Sequence, residues 1–208
     1  MKRILIAALA CLPGLGLQAS QQRPPCMEPL QTEEVDNAWA MGHSHDLGTL
    51  KEFFAPYIRL FPRSAMGAYV QAIEFRTPYD LAVLRSRNNL PNYSPIDART
   101  DYAKEPNLVV VRIIIFQQLG NAISPNAEDY LSDFEFRVKQ ESVIEPNAVR
   151  RETVCNSMLS DGGCPSGDEY EVRLEFDTSQ FKSRFVTVKV TPPDSQAVRA
   201  RFDLDALK

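Results

Sequence analysis

The second half of the chain repeats every two residues. In DFEFRVKQ, Phe134, Phe136 and Val138 alternate with Glu135, Arg137 and Lys139. In EYEVRLEFD, Tyr170, Val172, Leu174 and Phe176 alternate with Glu171, Arg173, Glu175 and Asp177. RFVTVKVT sets Val186, Val188 and Val190 against Thr187, Lys189 and Thr191, and AVRARFDLD sets Val198, Ala200, Phe202 and Leu204 against Arg199, Arg201, Asp203 and Asp205. Successive side chains of a strand point to opposite faces, so each segment has a dry face and a wet one, as antiparallel sheets do. Each large apolar side chain on a dry face stabilises by about 1.5–3 kcal/mol when fully buried. One sheet cannot hide such faces alone, so a second sheet must lie against it.

Upstream, NLVVVRIIIF (107–116) is apolar on both faces apart from Arg112 and reads as a central strand covered on two sides. AYVQAIEF (68–75) is a further strand, with Tyr69, Gln71, Ile73 and Phe75 on one side, and NAVRRETVC a weaker one of mixed pattern. That makes seven strands. Between the first two, Thr77-Pro78 and Ser94-Pro95 each open a helix, with Asp80 and Asp97 placed to close capping boxes. A looser third start stands at Ser124. The spacings are unequal, so these are independent caps and not a solenoid repeat. LGTLKEFFAPYIRLF has helical spacing and reads as one short helix over 49–55 that Pro56 stops, and TEEVDNAWAMG is a further short helix candidate.

The expected architecture is mainly β: an antiparallel β-sandwich spanning 47–208, with short helices inserted over 77–106 and a polar segment or linker over 20–46. At the level of fold it resembles an immunoglobulin-like module. The cysteine–tryptophan–cysteine spacing of true immunoglobulin domains is absent, because Trp39 lies outside the strands. A likeness of fold says little about activity.

Residues 1–19 read as a secretory signal peptide. Lys2 and Arg3 precede the apolar run Ile4–Ala10, and Leu17-Gln18-Ala19 supplies a small-residue cleavage site. The apolar run continues past Cys11, which favours cleavage over a lipid anchor there. No later stretch is long and apolar enough for a transmembrane span, since Arg112 interrupts the longest. The expected compartment is periplasmic or extracellular. Of 23 basic residues, Lys2 and Arg3 fall in the leader, and the 21 that remain face 27 acidic ones. They are interleaved along the sequence without a basic stripe, so nucleic acid is not the expected partner.

Export permits disulfides. Cys155 and Cys164 bracket NSMLSDGG at the base of a hairpin loop, and closing that loop would stabilise by about 2–3 kcal/mol in the chain-entropy description. Cys26, beyond Pro24-Pro25 in what reads as a mobile tail, is the odd thiol, left to pair between molecules or with one of the other two.

Both histidines lie in GHSHDLG. In an extended chain His43 and His45 point the same way and can share a zinc or copper ion, with Asp46 as an extra ligand. A third fixed ligand would have to be an acid, Met41 or Cys26, so a polar connector is the simpler reading. The stretch also falls short of a nucleophile elbow, because Asp46 stands where glycine is required and no histidine follows. Asp161 and Asp168 in SDGGCPSGDE are oxygen ligands for calcium by composition alone, without EF-hand spacing. The helical insertion carries Tyr79, Arg85, Arg87, Tyr93 and Tyr102, residue types favoured at recognition surfaces and equally at home where a core meets water. The function expected is an exported, non-catalytic binding or structural module, with a protein, a glycan or the cell envelope as partner. The alternative is a metal-binding protein or metal-dependent hydrolase using His43 and His45.

Overall fold

The computed structural model describes residues 23–63, 67–118, 127–154, 168–193 and 196–208. Among these residues nine strands form two antiparallel sheets. The first contains β1 (Ile58–Leu60), β2 (Gly67–Arg76), β3 (Leu108–Gln118), β6 (Ala148–Val154) and β7 (Asp168–Asp177), in the order β1-β2-β3-β7-β6. The second contains β4 (Glu135–Lys139), β5 (Val143–Ile144), β8 (Phe185–Thr191) and β9 (Val198–Asp203), in the order β5-β4-β8-β9. All seven strands expected from alternation and β-branching are present. The additional two are short: β1 pairs Ile58 with Glu74 and Leu60 with Ala72, and β5 pairs Ile144 with Val138. Strands of two or three residues have no room for a period.

The dry faces meet in one core. Ile73 and Phe75 of β2, Val109, Val111, Ile113 and Ile115 of β3, and Val172, Leu174 and Phe176 of β7 are packed with Val186, Val188 and Val190 of β8 and Ala200 and Phe202 of β9. The Phe75 ring lies 5.5 Å from that of Phe202 and 5.4 Å, edge-on, from that of Phe181, so aromatic contacts join the layers. The covered central strand is borne out on its inner face and modified on its outer one: Val110 is buried there, while Arg112 and Ile114 are half-buried.

Four of the helices among the described residues gather where β2 ends and β3 begins. α1 (Thr32–Gly42) and α2 (Leu47–Phe54) precede the first sheet, α3 (Pro78–Asn88) and α4 (Pro95–Lys104) fill the connection from β2 to β3, and α5 (Ala127–Tyr130) follows β3. A small second core of Ala38, Tyr79, Ala82 and Val83, bordered by Leu30, Met41, Phe53 and Phe54, holds α1 to α3. The helices cross closely at Gly42, where a Cβ would sit 2.5 Å from the Val83 carbonyl oxygen and 2.6 Å from Ser86 Cβ. Residues 23–46 are thus built into the body of the molecule. Cys26, expected in a mobile tail, is buried, and its Sγ donates to the Leu204 carbonyl oxygen at 3.1 Å. A 3₁₀ turn over Pro25–Met27, with Pro25 supplying a fixed φ, directs the thiol inward.

The two capping predictions part company. Ser94 and Asp97 form the full reciprocal box at α4. At α3 the Thr77 hydroxyl accepts from the Asp80 amide at 3.3 Å, but the Asp80 carboxylate turns away to Arg76. A buried guanidinium is a stronger partner for an ionised acid than a neutral amide. Cys11, Cys155, Cys164 and Asp161 lie outside the described residues, as does the side chain of Asp168, and with them the leader, the expected disulfide and the calcium loop.

Candidate functional site

The histidine motif turns out to be a junction between helices. His43 is the C-cap of α1, with its ring 4.3 Å from that of Trp39 and its Nδ1 3.0 Å from the Trp39 carbonyl oxygen. His45 is exposed. Asp46 is the N-cap of α2. Its Oδ1 accepts from the amides of Gly48 (2.9 Å) and Thr49 (3.3 Å), and its Oδ2 from the Thr49 hydroxyl (2.7 Å). These bonds, the Thr49 hydroxyl first, hold its pKa below the ordinary carboxylate value. Among the described residues no three His, Cys, Asp or Glu side chains come together as a metal site would need.

The five residues singled out on the helical insertion knit helices together. Tyr79 is buried between α1 and α3. Tyr102 accepts at its hydroxyl from the Leu30 amide at 2.7 Å. Tyr93 donates to Asp101 at 3.1 Å and offers its carbonyl to the Trp39 indole at 2.8 Å; burial, then Asp101, pushes its phenol up to about 12. Arg85 binds the Asp101 carbonyl and pairs with Glu105, and Arg87 binds the Ser44 carbonyl at 3.1 Å. The space that Arg85, Tyr93 and Tyr102 line between α3 and α4 is about 10 Å³, room for one water.

A buried ionic cluster joins that helical end to the sheet. Arg76, at the end of β2, donates to Glu74 at 2.7 and 3.1 Å and to both oxygens of Asp80 at 3.1 and 3.2 Å. Asp80 is wholly buried. Burial drives its pKa up to about 7, opposed by Arg76. Arg112 extends the chain of charges, reaching Glu74 at 3.3 Å and Glu171 at 2.7 Å. Beside it Thr77 donates to the Lys208 carbonyl at 2.6 Å, and the Tyr57 hydroxyl contacts both the amide and the carbonyl of Lys208.

The two outer sheet faces differ in charge. On the five-stranded sheet Arg150, Arg173, Arg112 and Glu74 are cross-strand neighbours, and acids neutralise the row: Glu175 meets Arg150 and Arg173 at 3.1 and 2.9 Å, and Glu171 and Glu74 meet Arg112. On the four-stranded sheet the register aligns Arg137 with Lys189 and Arg199, and Lys139 with Thr187 and Arg201. Lys139, Lys189, Arg199 and Arg201 have no acidic side chain within ion-pair distance among the described residues, and Arg137 is paired with Glu135. Arg201 lies 4.0 Å from the ring centre of Phe185, whose ring is also met by Arg184 at 5.0 Å. The backbone positions of neighbours within a row are about 4.8 Å apart, and those of the two rows about 6.8 Å. Five cations thus share one small face of a chain whose net charge is −4.

Sequence reasoning missed this face. Its members come from three strands spread over residues 135–203 and meet only through the register. A signal was present: the wet positions of β4, β8 and β9 are mainly basic or neutral, those of β7 mixed. No family model and no curated protein matches the sequence. Among the described residues no helix is long and apolar enough to cross a membrane.

Proposed function

We propose that the protein is an exported, non-catalytic binding module on an immunoglobulin-like sandwich, and that it binds through the outer face of the four-stranded sheet. The observation that carries the reading is that Lys139, Lys189, Arg199 and Arg201 have no carboxylate within ion-pair distance among the described residues, beside an opposite face whose charges are paired. Uncompensated like charges on neighbouring strands repel, and a complementary partner relieves that cost. Support for the immunoglobulin-like topology comes from strand order. With β2, β3, β4, β6, β7, β8 and β9 as strands A to G, the sheets read A-B-E-D and C-F-G, and β5 extends the second beside C. Export rests on the leader pattern of residues 1–19. A non-catalytic role is favoured by the employment of the reactive groups: His43 and Asp46 serve helix ends, and Asp80 is sealed behind Arg76.

Cosedimentation of the purified protein with cell-envelope material tests the reading. The wild type is retained and released by salt, and Lys189→Glu/Arg199→Glu stays in the supernatant. Equal retention of both, or of neither, refutes it.

A further inference from the structure

We infer that the partner of the basic sheet face is a linear acidic polysaccharide lying across β4, β8 and β9, an inference that rests on the binding-module reading above. The two cationic rows run across the strands, Arg137-Lys189-Arg199 and Lys139-Thr187-Arg201. Acids bound them in the strand direction. Glu135 lies beyond the first row, and Asp203, paired with Arg184 at 2.6 Å, lies beyond the second. The positive area is therefore a band perpendicular to the strands. A narrow polyanion following the band meets Lys189, Arg199, Lys139 and Arg201 without crossing Glu135 or Asp203, whereas an anionic bilayer would cover both acids as well.

The band also discriminates among chain-like partners. The backbone positions that carry the first row repeat at about 4.8 Å from strand to strand, close to the length of one pyranose unit. An extended acidic peptide presents same-face carboxylates about 6.8 Å apart, in step only with the separation of the two rows, and laid along the strands to use it the peptide would run over Glu135 and Asp203. Single-stranded nucleic acid is held largely by bases stacked on exposed aromatic rings. The aromatic ring of this face, Phe185, is already occupied by the guanidinium groups of Arg184 and Arg201. Protein interfaces are anchored by a central apolar or aromatic side chain. Here the centre is Thr187 and Lys189, and the exposed apolar residues, Val143 and Phe185, stand at the border. Arginine forks and lysine ammonium groups suit carboxylates, and the Thr187 hydroxyl can exchange hydrogen bonds with sugar hydroxyls.

The test titrates the purified protein at low ionic strength with polygalacturonate, and in parallel with neutral dextran, polyglutamate, single-stranded DNA and phosphatidylglycerol vesicles. Polygalacturonate is expected to bind most tightly and dextran not at all, with affinity falling as salt is raised. Lys189→Glu and Arg199→Glu should each weaken binding about tenfold, while Arg150→Glu, on the paired outer face, leaves it unchanged; matching thermal melts confirm that the variants fold. Tighter binding of polyglutamate, DNA or vesicles overturns the polysaccharide assignment. So does an equal loss in Arg150→Glu, or failure of polygalacturonate to bind. If envelope retention is still abolished by Lys189→Glu/Arg199→Glu when polygalacturonate fails, only the assignment of the partner falls. If retention fails as well, the binding-module reading falls with it.

Discussion

Replacing Arg76 by methionine isolates the buried ionic cluster. The variant keeps the aliphatic bulk and removes the guanidinium that binds both Asp80 oxygens and two contacts to Glu74. Glu74 retains Arg112 at 3.3 Å, whereas Asp80, fully buried, loses its side-chain cation. Breaking a buried pair by removing one member costs about 3–5 kcal/mol where the remaining group stays charged, and less where it can take up a proton. The cost depends on pH, and its sign follows from linkage. Burial raises the Asp80 pKa from 3.8 to about 7 in the folded wild type, so folding favours the protonated acid. Stability from this group is complete below pH 3.8 and is lost as pH rises through about 7; the full swing is about 4 kcal/mol. Without Arg76 the pKa climbs further. At pH 5 Asp80 is neutral in both proteins and the variant lacks only hydrogen bonds, about 1–2 kcal/mol; at pH 8, one unit above the wild-type value, the variant also forgoes the Arg76-supported ionisation, about 1.4 kcal/mol more. Urea unfolding of both proteins at the two pH values measures the difference. Equal destabilisation at pH 5 and pH 8, or a variant as stable as wild type at pH 8, would refute the assignment of a buried, partner-dependent charge.

Three other outcomes follow from packing. Gly42→Ala drives a methyl into the Val83 carbonyl and Ser86 at the α1–α3 crossing, and should destabilise by about 1–3 kcal/mol in thermal or urea melts. Cys26, buried with its thiol pushed up to about 12, chiefly by burial, should resist a thiol reagent at pH 8 in the native state and react once the protein is unfolded. Asp46→Ala removes the cap of α2 and should lower the midpoint of the same melts, while His45→Ala, at an exposed position, should leave it unchanged.

Several elements were legible because their causes are local. Alternation along β4, β7, β8 and β9 reports the wet and dry faces directly, and Thr77-Pro78 and Ser94-Pro95 mark helix starts through hydroxyl capping and a preset φ. The capping box at α3 failed because its third residue, Asp80, had a competitor four positions upstream in Arg76, which local grammar cannot weigh. Likewise, His43, Tyr79, Tyr93 and Tyr102 have the composition of a surface site. The three tyrosines are employed by Trp39, Ala38 and Leu30, residues of α1 and its approach that lie far along the chain from them, while His43 is held by Trp39 one turn back.

The basic face illustrates the strongest form of the same limit. Along the sequence each cation of β4, β8 and β9 has an acid or a threonine nearby, so any window looks balanced or nearly so. Antiparallel pairing sorts residues by face and then by row, and a one-residue slip of β8 against β4 would send Lys189 into the core in place of Val188 or Val190. Burial of the three β8 valines therefore fixes which charges share the outside, and the hydrophobic interior sets the electrostatics of the exterior. The paired ladder on the opposite sheet obeys the same rule with a different outcome, because β7 supplies Glu171 and Glu175 on the same face as Arg173. One physical cause, the two-residue period, thus produces both the scaffold and the one strongly positive face among the described residues.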